Sequence, residues 1–276
     1  VGAGLGVLDA RARHGVHAND LPPLLDHPVI AQILSHRTVR QFRSDPLPSN
    51  TLETLIAAAQ SAPSSSNLQL WSVVAVQSQD KRDQLATLAG NQAHIRQAPL
   101  LLAFLADVSR AQRIARHQQR RVEALSYLDS FLTATVDAAL AAQNVVTAAE
   151  ALGLGTVYIG ALRNRPAEVA ELLETPEGVF TVFGLVIGHP DPAQPAAVKP
   201  RLPQASVLHH ERYQAPVDLP SELGQYDAVL SAFQASQGQA VLGWTEAVLE
   251  RLRDAGSLNG RDRLSESVQA AGFELR

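Results

Sequence analysis

Apolar residues recur along this chain at two periods, and the switching between them assigns its elements. No period is sustained before residue 26; His27-Pro28 then opens a helical pattern through Val29, Ile30, Ile33 and Leu34. A second helix starts at Pro48-Ser49 and sets Leu52, Leu55, Ile56 and Ala59 on one face. It stops in the turn-forming cluster Pro63-Ser64-Ser65-Ser66-Asn67. Apolar runs at 71–76 and 99–106 read as strands, with a helix at 80–88 between them that Gly90-Asn91 ends. Residues 125–152 are Ala-rich and apolar around most of the helical circumference, which places them in the centre of a fold or at a subunit interface. Gly153-Leu154-Gly155 stops that helix; a strand at 156–159, a helix at 168–173 and a buried strand at 179–187 follow. Prolines at 190, 192, 195, 200 and 203 impose an extended crossing. Beyond Asp227 the pattern is helical, with Trp244, Val248 and Leu252 four residues apart.

No tandem repeat and no clean linker divides this pattern. The reading is one α+β domain over 27–276, ending in a helical region and preceded by an N-terminal extension at 1–26. Composition narrows the chemistry. With 276 residues, 46% hydrophobic and only 18% charged, the chain buries a sizeable core and is not disordered. A net charge of −4 lacks the basic footprint of a general nucleic-acid binder. The absence of Cys removes disulfides, zinc–thiolate sites, iron–sulfur clusters and thiol nucleophiles, and the nine His show no metal-binding spacing, so no metal is expected. Neither a G-x-S-x-G elbow nor a G-x-x-x-x-G-K-S/T loop is present. Residues 1–10 are too short to span a bilayer, and Asp129, Asp137 and Glu150 interrupt the longest apolar stretch; a cytoplasmic location is expected. With Val at position 1 and no Met anywhere, a start upstream of Val1 is also expected. Chemistry falls to the remaining polar side chains or to a bound cofactor.

Two clusters suit an anion. Ser35-His36-Arg37-Thr38-Val39-Arg40 sets two guanidinium groups and an imidazole within five residues, as a phosphate clamp or as a solvated basic edge. Lys199-Pro200-Arg201 points two cations to one side of a proline-stiffened extended segment, as an anion contact or as a plain surface loop. The hydroxyls of 64–66 serve a polar ligand or bond their own turn. Gly160 lets a flat ligand approach the backbone. Arg110, Arg113, Arg116, His117, Arg120 and Arg121 fall mostly on one face of a helix and read as a solvated surface.

Six segments in order carry a family likeness: Ser-His-Arg-Thr-Val-Arg at 35–40, Ser-Ser-Ser-Asn-Leu-Gln at 64–69, Gly-Asn-Gln-Ala-His at 90–94, Ala-Gln-Asn at 142–144, Gly-Leu-Gly-Thr-Val-Tyr-Ile-Gly-Ala-Leu-Arg-Asn at 153–164, and Lys-Pro-Arg-Leu-Pro at 199–203. The chain resembles the oxygen-insensitive NADPH nitroreductase and flavin reductase group of the nitroreductase family, from about Leu34 to Arg212 and more weakly to the C-terminus. The resemblance implies an α+β fold, an α-β-α sandwich in an intertwined homodimer, with one FMN in each of two clefts at the subunit interface. It implies that His36, Arg37, Thr38, Arg40, Lys199 and Arg201 hold the FMN phosphate and ribityl chain, and that Ser64 and Ser66 reach the flavin from the neighbouring subunit. Gln92 would face the polar edge of the isoalloxazine, and the backbone of Tyr158, Ile159 and Gly160 would lie against the ring near N5.

The implied activity needs no catalytic side chain. NADPH or NADH delivers hydride to flavin N5 and leaves; a nitroaromatic, a quinone or free flavin then takes electrons in the same pocket. A flavoenzyme with a dedicated different substrate, and a non-catalytic flavin-binding protein, stand as alternatives. Three features depart from the family: the 1–26 extension, the Arg-rich 110–121 stretch, and the absence of any Lys or Arg in 213–250. Related NADPH-preferring members carry Arg after the Tyr-Asp that matches Tyr226-Asp227, so weak to moderate discrimination between NADPH and NADH is expected here.

Overall fold

The computed structural model describes residue 13, residues 24–215 and residues 219–276; the rest of the expected N-terminal extension lies outside the described residues. In chain order the elements are α1 (Pro28–Leu34), α2 (Thr51–Gln60), β1 (Trp71–Val76), α3 (Gln79–Leu88), α4 (Ala93–Gln97), β2 (Leu100–Asp107), α5 (Ser109–His117), α6 (Leu128–Ala151), β3 (Gly155–Ile159), α7 (Pro166–Leu173), β4 (Val179–Gly188), α8 (Leu219–Ser236), α9 (Gly243–Leu252) and α10 (Leu264–Ala270). They form two compact units: residues up to Thr38 with Ala196–Ser257, and Val39–Pro195 with Leu258–Arg276.

The larger unit is built on an antiparallel sheet of order β1-β2-β4-β3. Trp71 stands opposite Ala106, Leu100 opposite Ile187 and Gly155 opposite Gly188. Strand β2 is apolar at every position but its last, and all of it is buried, because both faces are covered and no polar side needs to alternate. Leu100, Leu102, Phe104 and Ala106 pack with α2 and α6. On the opposite face Leu101 shares the ground above Gly184 with Ile159 and Leu162. There α7 packs on β4 and α3 on α7, so helices flank the sheet on both sides.

Helix α6 has a buried face in the centre of the larger unit and a separate exposed apolar stripe. Ala134, Ala138, Ala141, Ala142, Val145 and Ala149 form its buried face, small enough for α2 and β2 to approach closely. Leu132, Val136 and Leu140, one turn apart, remain exposed on another stripe. The helix starts at Leu128 rather than 125, because Glu123–Ser126 is a 3-10 turn and Tyr127 is extended. Gly153, at φ +76, ends it in the left-handed cap that glycine adopts without strain.

A second sequence reading changes. Helix α5 stops at His117, and Gln119 takes a left-handed φ of 52, so Arg120 and Arg121 leave the helical face that Arg110, Arg113 and Arg116 share. In α9 the four-residue spacing does lie on a helix, with Trp244 and Val248 half-buried and Leu252 70% exposed.

In the smaller unit Pro28 opens α1 and the His27 ring accepts a hydrogen bond from the Val29 N–H at 3.2 Å. Helices α8 and α9 pack together. The Asp227 carboxylate of α8 accepts from the N–H groups of Trp244 at 2.6 Å and Thr245 at 2.8 Å, satisfying donors that the start of α9 leaves open.

Candidate functional site

In the smaller unit the backbone ties two cation-bearing segments to each other. The first follows α1 through Ser35, His36, Arg37 and Thr38; the second is the extended run 199–203. Arg13 joins them. Its Nη1 donates to the Lys199 carbonyl at 2.8 Å, and its Nη2 donates to the carbonyls of Leu34, at 3.1 Å, and of His36. The Arg13 carbonyl in turn accepts the Arg201 N–H at 2.8 Å. A second anchor comes from α8, where the Tyr226 hydroxyl donates to the Pro200 carbonyl at 2.9 Å while its ring meets Trp244 edge-on at 5.7 Å. Burial pushes the Tyr226 phenol up, partly offset by the charge of Arg201, so the hydroxyl remains a donor at neutral pH. Arg37, Lys199 and Arg201 are exposed and His36 is half-buried. The Lys199 ammonium stands 6.0 Å over the Phe233 ring and Arg201 Nη1 donates to the Lys199 carbonyl at 3.3 Å, so exposed cations rise from a backbone that is held, which suits an anion.

The larger unit holds the other candidates. The Val39 N–H donates to the Thr156 carbonyl at 2.9 Å. Gly155 lies so close to Val39 that a Cβ there would fall 2.7 Å from it, so this approach to β3 excludes any larger residue. The contact fixes the backbone from which the exposed Arg40 projects. His94 of α4 lies within electrostatic reach of Arg40: burial first, and then that charge, hold its imidazole below the usual range. Its Nε2 is buried without a partner among the described residues. A neutral ring beside Arg40 at neutral pH leaves the full cation for a ligand.

Ser64 does not present a free proton. Its Oγ donates to Asp137 Oδ2 at 2.7 Å and accepts the Gln69 N–H at 2.7 Å. Asp137, 1% exposed on α6, also accepts from the N–H groups of Leu70 at 3.0 Å and Ser65 at 3.3 Å. This carboxylate holds a turn in which Ser66, Asn67 and Gln69 all have positive φ. Ser66 is exposed within it. Gln92 precedes α4 and commits one amide N–H to the Ala89 carbonyl at 3.0 Å.

Tyr158 sits on β3 with its ring edge-on to Phe183 at 5.2 Å. Burial and then the charge of Glu150 push its hydroxyl up to about 12. Ile159 is buried, and Gly160 opens the 3-10 turn Gly160–Arg163. The Arg163 guanidinium donates to the Val182 carbonyl, and its Nη2 lies 3.5 Å from where a Gly160 Cβ would stand. Of the basic stretch, Arg110 is a structural strap: it donates to the carbonyl of Gln69 at 2.7 Å and to Ser72 Oγ at 3.1 Å.

Arg13, Asp137 and His94 were given no site role by the sequence. Two of them left a signal there, His94 as the end of the 90–94 motif and Asp137 as an acid in the Ala-rich helix.

A family model described as the nitroreductase family matches residues 33–189. The chain belongs to the nitroreductase family. A second model, of the nitroreductase family C-terminal domain, matches residues 199–276. Among related proteins, an FMN reductase (NAD(P)H) of Bacillus subtilis is 41% identical over 224 residues, covering 80% of this chain and 89% of the relative. An oxygen-insensitive NADPH nitroreductase of Salmonella typhimurium is 39% identical over 211 residues, covering 76% and 84%. The solved structure of Bacillus megaterium NfrA2 superposes with a TM-score of 0.84 at 38% identity, covering 91% of this chain and all of that one. The α+β fold described above is therefore the nitroreductase fold, and the chain is an oxidoreductase of that family.

Proposed function

We propose that this nitroreductase-family chain is an FMN-dependent NAD(P)H oxidoreductase that reduces nitroaromatics, quinones or free flavin. The observation that carries the reading is the braced pair of segments bearing His36, Arg37, Lys199 and Arg201, in which Arg37, Lys199 and Arg201 are exposed on a backbone fixed in advance. That donor set fits a phosphate dianion, since guanidinium forks match phosphate oxygens and ammonium supplies a compact charge. When bound, FMN supplies the two-electron chemistry, accepting hydride from a nicotinamide and passing electrons to the acceptor.

The chain's own residues bind and orient. His36, Arg37, Thr38, Arg40, Lys199 and Arg201 hold the phosphate and ribityl chain. Ser64 commits its proton to Asp137 and shapes its turn, and the exposed Ser66 offers its hydroxyl to the flavin. Gln92 hydrogen-bonds the polar edge of the ring with the part of its amide not committed to Ala89. The Tyr158–Gly160 backbone offers a surface without a side chain at Gly160, and Arg163 keeps positive charge beside that turn. The relatives' names support the reading, as does the exposed Leu132, Val136 and Leu140 stripe of α6, which suits a second copy of the chain in a homodimer.

One anaerobic spectrum tests the proposal. The purified protein is expected to be yellow, to bleach with NADPH or NADH, and to regain colour when a nitroaromatic or quinone is added. Colour that persists with both donors would mark a passive flavin binder, and a colourless protein with no affinity for FMN would end the reading.

The donor preference follows from charge. Selecting the 2′-phosphate of NADPH needs a placed cation. Residues 213–250 supply none, and Arg120 and Arg121 lie beyond the end of α5. The expected ratio of kcat/KM for NADPH over NADH is below about 100-fold, or roughly 2.7 kcal/mol. A larger ratio that survived replacement of Arg113, Arg116 and Arg120 by alanine would show that the cations lie elsewhere.

A further inference from the structure

The family match begins at residue 33, so Arg13 lies outside it. Yet Arg13 is 7% exposed and spends its guanidinium on three backbone carbonyls, those of Leu34, His36 and Lys199. A guanidinium taken out of water needs fixed acceptors to offset its lost hydration. Here the acceptors belong to the two segments that carry His36, Arg37, Lys199 and Arg201, and the Arg13 carbonyl closes the loop on the Arg201 N–H at 2.8 Å.

We propose that Arg13 is a positioning residue of the FMN phosphate site, supplied by sequence that the family match does not cover; this rests on the flavin reading above. Cations carried on neighbouring segments repel one another, so without a bound anion the segments tend to spread. A planar fork bonded to the backbone of both opposes that spreading and holds the site ready before the ligand arrives. Arg13 touches no phosphate oxygen in this scheme; it sets the distance between the groups that do. Carbonyl acceptors suit the task, because Arg13 then holds the two segments by their backbone and not by their charged side chains.

The test compares FMN with riboflavin, which lacks the phosphate, by fluorescence titration of the flavin-stripped full-length chain. The wild type is expected to favour FMN by on the order of 100- to 10,000-fold, since each charge-assisted hydrogen bond to the phosphate is worth about tenfold or more. Arg13→Ala should weaken FMN binding by about 10- to 100-fold, the scale for removing a group that orients ligating residues, while riboflavin binding stays the same. A collapse of the FMN preference alone is the positioning signature. Equal losses for both flavins would mark Arg13 as merely structural and overturn the proposal. If the wild type favours FMN and Arg13→Ala keeps that preference, the flavin reading stands and the role of Arg13 falls. If the wild type itself does not distinguish the two flavins, the phosphate reading falls first and Arg13 with it. Should Arg13→Ala not fold, Arg13→Lys decides in the same way. One ammonium keeps the charge but cannot reproduce the planar fork, so the FMN preference should shrink, and an undiminished preference would overturn the proposal.

Discussion

Arg40→Ala combined with Lys199→Ala is expected to yield a folded protein that purifies largely without flavin. Both side chains are exposed, so neither is needed to fill the core. Val39 rather than Arg40 makes the contact with β3, and the Lys199 carbonyl is fixed by Arg13 while its ammonium lies over the Phe233 ring. Removing both heads should therefore leave the backbone of each segment in place. Each charge-assisted hydrogen bond to a phosphate contributes about 1.5–3 kcal/mol, so the pair is worth roughly 3–6 kcal/mol. The FMN dissociation constant should rise by on the order of 100- to 10,000-fold. Visible flavin absorbance per mole of purified protein measures the loss, and far-UV circular dichroism confirms the fold. Full flavin occupancy in the double variant would show that the clamp is misassigned.

Asp137→Ala is expected to destabilise the chain by about 3 kcal/mol. The carboxylate is buried and receives the Ser64 hydroxyl and the N–H groups of Ser65 and Leu70. Without it the buried Leu70 N–H has no acceptor, and the turn holding Ser66, Asn67 and Gln69 at positive φ loses its anchors at Ser64, Ser65 and Leu70. For a chain of this size the melting temperature should fall by about 6–12 °C. Asp137→Asn keeps one acceptor oxygen and should lose less. Thermal denaturation checks both variants; an unchanged melting temperature for Asp137→Ala would remove Asp137 as the organiser of the turn.

How much of the molecule was legible in its sequence depended on what the residues pack against. The elements α2, β1, β2, α6 and β4 were readable because each buries apolar side chains against a neighbour, and that burial imprints a period or an unbroken apolar run. Helix α4, five residues long, is too short to show a period. The end of α5 was misplaced because a left-handed Gln119 carries no stop signal such as glycine. The four-residue spacing in α9 marked a helix but could not say how much of it is covered, because spacing records which residues share a side, not what packs against them.

The chemical types at the site belong to the sequence: cations at 36–40 and 199–201, hydroxyls at 64–66, a glycine at 160, and the order of motifs that marks the family. Their support belongs to the tertiary structure. Arg13 bonds to carbonyls 21 and 186 residues away, and Asp137 to a hydroxyl 73 residues away. Backbone carbonyls and N–H groups are the same at every position, so no residue type at 34, 36, 70 or 199 announces that a distant side chain will bond there. Local sequence thus determined which groups are available for binding. Only the folded chain decided which of them are held, because the bonds that hold them run to atoms that all residues share.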